Sequence, residues 1–499
     1  MQSILERWRS VLFSFQWYSP YIQIYSLVLS YLSPFTVPKP LQPHLVGRAL
    51  PDLPLEIWLE IFQFATYVHE CETIKPLNPF TPRRMTTIAL AANTPALAMR
   101  TKLALAVVCK SWRRLAVRIL YRHIVIRSPA RADAILRVLE QSRAPQPSIS
   151  RSSATGLQGH GQWTRYIEVY TYMRGCGDIG FLQTVFRIFR CCPNLQYLSG
   201  KWTHELPVEF LQGVSALYGQ SLLGLCWAGM ASPEFLGKFH SLRVLDLRHF
   251  TGTSTFPDSP SLTLPNVQDL IVSNKPRSLN VATSLNLPKL RNLTLRTTGD
   301  EPGHNEHLFA FLKVHGKSLL FVDLPPPSEN DLEVENAPLR REAQFIPPDI
   351  FLANDVCPNL ESFVYSCAIQ NSPTYPHSNL LRIGVRGMTA DLLYPNKSSP
   401  TKCHLLALNP EDYPRLQSVQ MVGFLVDAHA DSIVKDACIW WAEKFEKMGI
   451  LFLDGESVLW MYSDPEETIV ETVIKKQEEK QPQSQVTTMK TIDRCTSGH

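Results

Sequence analysis

The chain has 499 residues, which is too long for one ordinary domain and predicts two or three units or one elongated array. Apolar residues make up 44% and charged residues 19%, a composition that excludes a chain disordered throughout. The 49 basic and 45 acidic residues leave a net charge of only +4, without the concentrated basic patch typical of a nucleic-acid surface. We therefore expect no nucleic-acid partner.

The first segment, residues 1–45, is an apolar N-terminal extension. Apolar residues recur at helical spacing up to Phe15, and Pro20 then separates them from the apolar run 21–32. That run is too short for a transmembrane helix, which needs about 20 apolar residues. We expect a helix that packs on the rest of the protein or on a partner, with membrane contact as the less favoured alternative.

Residues 50–122 form two helical segments around an insertion. In the first segment Glu56, Glu60, Gln63 and Thr66 follow one another at spacings of four, three and three, which is one narrow polar stripe on an otherwise apolar helix. Such a helix must be covered on more than one side. The second segment runs from 101 to 122, and the proline-interrupted stretch at about 70–101 is predicted to be an insertion.

A short leucine-containing motif recurs through the rest of the chain, in the form apolar, two variable residues, apolar, one variable residue, apolar. Most copies lie 20 to 29 residues apart, the period of leucine-rich repeats, and proline precedes several of them. Copies of this kind must stack to bury their apolar faces, which predicts a solenoid over residues 123–462. The first apolar positions of the nine copies are Leu195, Leu222, Leu242, Val267, Leu290, Leu319, Leu360, Leu380 and Leu416.

The end of the chain is predicted to close this array. The segment 440–455 is typical of a capping helix followed by a last strand. The polar tail 463–499, rich in Glu, Lys, Gln and Thr, is predicted to be disordered.

The 11 cysteines indicate a reducing compartment. Their number is odd, and no two of them have the C-x-x-C spacing of a metal or redox motif. Reduced thiols are expected in the cytoplasm or the nucleus. The sequence also lacks a Walker loop, a G-x-G-x-x-G motif and a G-x-S-x-G motif, so we expect neither catalysis nor a cofactor or metal.

Two sequence stretches carry a family resemblance. LPLEIWLEIF and LAVVCKSWRRLA together resemble the F-box, and an F-box ahead of leucine-rich repeats resembles the substrate-receptor subunits of SCF-type ubiquitin ligases. The resemblance implies an α/β fold, in which a short helical F-box precedes an irregular leucine-rich-repeat solenoid with a parallel sheet. It further implies that the F-box docks on a Skp-family adaptor and, through it, on a cullin. The residues expected to contact the adaptor are Leu53, Pro54, Ile57, Trp58, Ile61, Phe62, Leu105, Val108, Cys109, Trp112 and Leu115.

The sequence departs from that family in one place. The box is normally compact, whereas Phe62 and Val108 lie 46 positions apart here. Because the cost of closing a loop grows only with the logarithm of its length, we expect the box to fold with a protruding loop. The alternative function is a non-catalytic interaction scaffold, possibly attached to a membrane through its N-terminus.

The repeats also predict a surface for a protein substrate. Successive side chains on a strand point to opposite faces, so the residue between the two buried apolar positions of each motif and the residue just after them should face the concave side of the array. This selects Asp246, Arg248, Thr294, Arg296 and Arg386 as substrate-binding residues. Arginine forms paired hydrogen bonds with carboxylates and phosphates, which favours an acidic or phosphorylated protein segment.

Overall fold

The computed structural model describes residues 53–81, 93–143, 159–252, 262–296, 305–325, 346–353, 355–368, 372–390, 400–426 and 432–461. From Leu55 onward they belong to one unit. The predictions for residues 1–45, for residues 82–92 of the insertion and for the tail 463–499 lie outside the described residues.

Three helices come first: α1 Leu55–Ala65, α2 Pro95–Val108 and α3 Lys110–Leu120. Helix α2 begins after Thr94, whose side chain accepts a hydrogen bond from the Leu97 amide, and Pro95 occupies its first turn. Cys109 interrupts the second helical segment with an extended backbone, and its thiol accepts a hydrogen bond from the Trp112 amide at 3.4 Å. We call these three helices the helical module.

A long parallel sheet follows, in which neighbouring strands pair in chain order. Strand β6, Phe250–Gly252, pairs with the end of β4, and β7 Leu262–Thr263 pairs separately with β9 Leu285–Asn286. The main sheet contains β1 His123–Ile126, β2 Tyr166–Tyr170, β3 Tyr197–Lys201, β4 Gly224–Ala231, β5 Val244–Asp246, β8 Asp269–Ser273, β10 Asn292–Arg296, β11 Phe321–Asp323, β12 Ser362–Ser366, β13 Arg382–Arg386, β14 Ser418–Val422 and β15 Leu451–Leu453.

Helices cover one face of this sheet and bury the core between them and the strands. Three short 3-10 turns, His69–Cys71, His160–Trp163 and Gly316–Ser318, complete the helical structure of the described chain. The covering helices are α4 Pro129–Arg143, α5 Ile179–Cys191, α6 Val208–Tyr218, α7 Pro233–Leu236, α8 Pro276–Ser284, α9 Asn305–His315, α10 Asp349–Leu352, α11 Pro400–Leu406 and α12 Ser432–Glu446.

One apolar residue from each main strand lies in register with the next, and together they form a continuous row through the core. Because side chains alternate along a strand, the neighbours of these residues face the other way, onto what we call the open face. The α/β class predicted from the sequence is therefore confirmed, with a large parallel sheet. The row consists of Ile124, Ile167, Leu198, Leu225, Leu245, Leu270, Leu293, Val322, Phe363, Ile383, Val419 and Phe452, all of them buried.

The leading apolar residue of each of the nine motif copies is also buried. These residues precede the strands and contribute to the same core. At the far end α12 packs on β15, where the rings of Phe445 and Phe452 stack 5.2 Å apart.

Within the described residues, no helix combines the length and the apolar character that crossing a membrane requires. Each of the ten cysteines in that part of the chain carries a free thiol.

Helix α9 offers a test of this packing. Leu312 is buried against the sheet and Val314 on the same helix is exposed. Leu312→Ala should lower the free energy of unfolding by about 2–5 kcal/mol through lost burial and the remaining cavity, whereas Val314→Ala should change it by less than about 0.5 kcal/mol. Urea denaturation of both variants measures the difference, and equal midpoints would contradict the placement of α9.

Candidate binding surfaces

A cluster of aromatic rings holds the helical module together. Phe62 on α1 lies 4.8 Å from the ring of Trp112 on α3, and Trp58 lies 5.0 Å from the same ring. Leu115 and Ile119 of α3 complete this small core, with Leu105 packed beside it. Aromatic pairs at these distances stabilise helix contacts beyond the apolar area that they bury.

Two of the predicted adaptor contacts therefore need correction. Phe62 and Leu115 are 1% and 3% exposed, so neither side chain can touch a partner directly. A module with so few residues needs its largest apolar side chains to join its own helices. Trp58, Leu105 and Trp112 are half-buried around them and share that role.

The other predicted contacts are exposed. They are Leu53 and Pro54 before α1, Ile57 and Ile61 on α1, and Val108 and Cys109 at the junction of α2 with α3. Two further apolar side chains that are not among the predicted adaptor contacts, Phe64 and Val107, are 84% and 83% exposed. The amphipathic pattern could not single them out, since apolar residues surround most of α1.

The insertion does not simply protrude. Residues 72–81, which we call the strap, run from the helical module onto the open face of the sheet. The carboxylate of Glu72 lies 2.6 Å from Nε of Arg122, beyond the end of α3. Nζ of Lys75 lies 2.9 Å from Oδ1 of Asp269 on β8, and the buried Phe80 packs with Val364 and Val422. The prediction of a protruding loop is therefore wrong for residues 72–81, which lie against the sheet.

The predicted substrate-binding residues are largely engaged within the chain. Arg248 donates to both carboxylate oxygens of Asp246 at 2.7–3.1 Å, and Asp246 is 2% exposed. Arg386 donates to both oxygens of Asp323 at 2.9 and 3.0 Å. Thr294 lies on the open face but is buried, and Arg296 is half-buried at the end of β10.

These two ion pairs correct the expected surface. An arginine already bound to a buried carboxylate cannot offer the same paired hydrogen bonds to an acidic or phosphorylated ligand without exposing that carboxylate. The interpretation of Arg248 and Arg386 as open anion sites is therefore wrong. On the open face these two arginines neutralise the buried carboxylates of Asp246 and Asp323.

The two carboxylates respond differently to their surroundings. Burial raises the pKa of Asp246, but the charge of Arg248 and its hydrogen bonds outweigh burial and leave the pKa below its usual value. Burial also raises the pKa of Asp323, and here the opposing effect of Arg386 is too small to reverse it. Asp246 receives three side-chain hydrogen bonds and one from the Arg248 amide, whereas Asp323 receives two from a single nitrogen.

Within the described residues, no group of three His, Cys, Asp or Glu side chains is placed to hold a metal ion. No protein-family model matches the sequence. No curated protein matches it either. Among solved structures, the chain is similar at 13% identity to a Bacteroides fragilis protein from a structural genomics programme, over 69% of this chain and 76% of that one, with a TM-score of 0.31. A TM-score this low does not establish a shared fold.

Arg248→Gln tests the pairing with Asp246. It leaves a buried carboxylate without its cation and should lower the free energy of unfolding at pH 7 by about 3 kcal/mol. The matched control Arg243→Gln, at the exposed position before β5, should change it by less than about 0.5 kcal/mol.

The sign of the pH dependence follows from the lowered pKa of Asp246. In the natural chain this carboxylate stabilises the fold above its unfolded pKa of about 3.9, and the contribution is lost as the pH falls through the lower folded value. Without Arg248, burial favours the protonated acid. The deficit of Arg248→Gln should therefore shrink between pH 7 and pH 4, measured by urea denaturation, and a constant deficit would contradict the pairing.

Proposed function

We propose that the chain is the substrate-recognition subunit of an SCF-type E3 ubiquitin ligase and has no catalytic activity of its own. The helical module would dock as an F-box on a Skp-family adaptor, which links it to a cullin. The sheet array would act as an irregular leucine-rich-repeat solenoid that captures a protein substrate. The site of action would be the cytoplasm or the nucleus.

The observation that carries the proposal is that some apolar motif residues of the helical module are buried between its helices while others are exposed. Phe62, Trp112 and Leu115 join the helices, while Ile57, Ile61 and Val108 at neighbouring motif positions remain exposed. Ile57 and Ile61 lie one helical turn apart on α1, and exposed apolar side chains in contact with one another mark protein interfaces. Their positions coincide with the residues that the F-box resemblance assigns to the adaptor.

The order of the strands supports the second half of the proposal. Each repeat motif precedes or includes a short strand, and consecutive motifs supply neighbouring parallel strands. In an array built in this way, each repeat contacts only the repeats before and after it, and the strands together present one long face. Such faces suit extended protein segments.

The test uses exposed positions, so that folding is preserved. Ile61→Asp with Val108→Asp should weaken binding of a purified Skp-family adaptor by about thirtyfold or more, because charges would replace apolar groups at the centre of the interface. Isothermal titration calorimetry with the full chain measures the affinity.

The matched control is Val314→Asp, which places the same charge at an exposed apolar position on α9. It should leave adaptor affinity within about twofold of the natural chain. A folded Ile61→Asp/Val108→Asp chain that binds the adaptor as tightly as the control would contradict the proposal, as would a natural chain that does not bind the adaptor.

A further inference from the structure

The strap crosses the open face where two glycines leave room for it. A Cβ atom added at Gly224 would lie 3.0 Å from Cδ1 of Ile74. One added at Gly384 would lie 2.8 Å from Val422 and 3.0 Å from Val364, the two valines that Phe80 contacts. The open face thus lacks a side chain at Gly224, beside Ile74, and at Gly384, beside the valines that Phe80 contacts.

The polar contact of the strap lies between these two glycines. Nζ of Lys75 is 2.9 and 3.1 Å from the two oxygens of Asp269, which also accepts a hydrogen bond from Asn292 at 2.8 Å. Asp246 and Asp323 on the same face receive arginines from the array itself. The lysine bound to Asp269 comes from the strap instead, so lifting the strap would uncover a carboxylate.

Phe80 provides the second anchor. Its ring lies 6.2 Å from that of Phe321 in an edge-on arrangement, and the guanidinium of Arg382 lies 5.2 Å from its centroid. Pro79 beside it is also buried, whereas Leu77 between the two anchors is exposed. The open face therefore contacts the cation of Lys75 and the ring of Phe80, whereas the side chain of Leu77 points to solvent.

The strap turns at its second anchor. Four residues lie between Lys75 and Phe80, and residues 78–81 form a turn in which the Thr81 amide donates to the carbonyl oxygen of Asn78 at 3.0 Å. Oδ1 of Asn78 also accepts a hydrogen bond from the Phe80 amide at 3.0 Å. Pro76 and Pro79 restrict the backbone between the anchors and so reduce the entropy lost on binding.

A small turn fixes where the strap begins. Nε2 of His69 lies 2.7 Å from the carbonyl oxygen of Lys75, which can only accept, so Nε2 donates and Nδ1 accepts from the hydroxyl of Tyr67 at 3.1 Å. The strap is thus a ligand held in cis by the helical module, and its side chains make the contacts with the sheet described above.

We propose that the open face binds a proline-containing segment of a partner protein, with a basic side chain and an aromatic ring five residues further on, and that the strap occupies this site until the partner displaces it. That the partner is a ligase substrate rests on the proposed function. Binding of the segment itself does not depend on the adaptor.

The experiment measures binding of a strap peptide in trans. A fluorescein-labelled peptide with the sequence of residues 72–81 is titrated with the full natural chain and with its Lys75→Ser/Phe80→Ser variant, and anisotropy is recorded. Since a site occupied in cis lowers the apparent affinity by its free fraction, the variant should bind at least about tenfold more tightly. Lys75→Ser alone, at a half-exposed residue, should give a smaller gain and serves if the double variant does not fold.

Matched changes on both sides identify the contacts. Adding Asp269→Asn to the variant should weaken peptide binding, as should Lys75→Ala or Phe80→Ala in the peptide, while Leu77→Ala in the peptide should leave it unchanged. Unrelated proline-containing peptides with the same basic–aromatic spacing should compete for the site, and their scrambled forms should not.

A folded variant that binds no peptide, or that binds all the altered peptides equally, would overturn the proposal. Adaptor titrations with the same chains separate the two hypotheses. Loss of peptide selectivity with intact adaptor binding contradicts only the binding specificity of the open face, and loss of adaptor binding with intact peptide selectivity contradicts only the proposed function.

Discussion

The structure depends on the two-residue alternation of its parallel strands. One residue of each strand enters the apolar row from Ile124 to Phe452, and its neighbours face the other way. Because a shift by one residue would expose the whole row, the register is fixed by burial. The same constraint decides which polar residues lie on the open face, where Asp246 and Asp323 share one register row and Asp269 lies in the row two residues earlier.

Burying carboxylates on the open face costs free energy unless cations pair with them, and the chain supplies these cations in two ways. Asp246 and Asp323 are compensated by arginines from the array, Arg248 and Arg386. Asp269 is compensated by Lys75, a residue 194 positions away in the chain. The arginines belong to the strands of the array and stay with their carboxylates. Lys75 belongs to the strap, so the proposed partner segment could replace it at Asp269.

The core was predictable from the sequence because its pattern is local. The motif positions that precede the strands, such as Leu195 and Leu360, are all buried, and the strands that follow them form the parallel sheet that the resemblance implied. The strap was not predictable, since the contact of Lys75 with Asp269 leaves no trace in local periodicity. Within α1, the pattern could not distinguish the buried Phe62 from the exposed Phe64, because only the packing of α3 decides which side is covered.

Hydrogen exchange of the full chain, with and without a Skp-family adaptor, tests the central claim most directly. Docking through the helical module predicts slower amide exchange in residues 55–65 and 103–113 when the adaptor is added, with exchange in the sheet from β8 to β14 unchanged. Slower exchange confined to the sheet, or no difference in the helical module at saturating adaptor, would contradict the account.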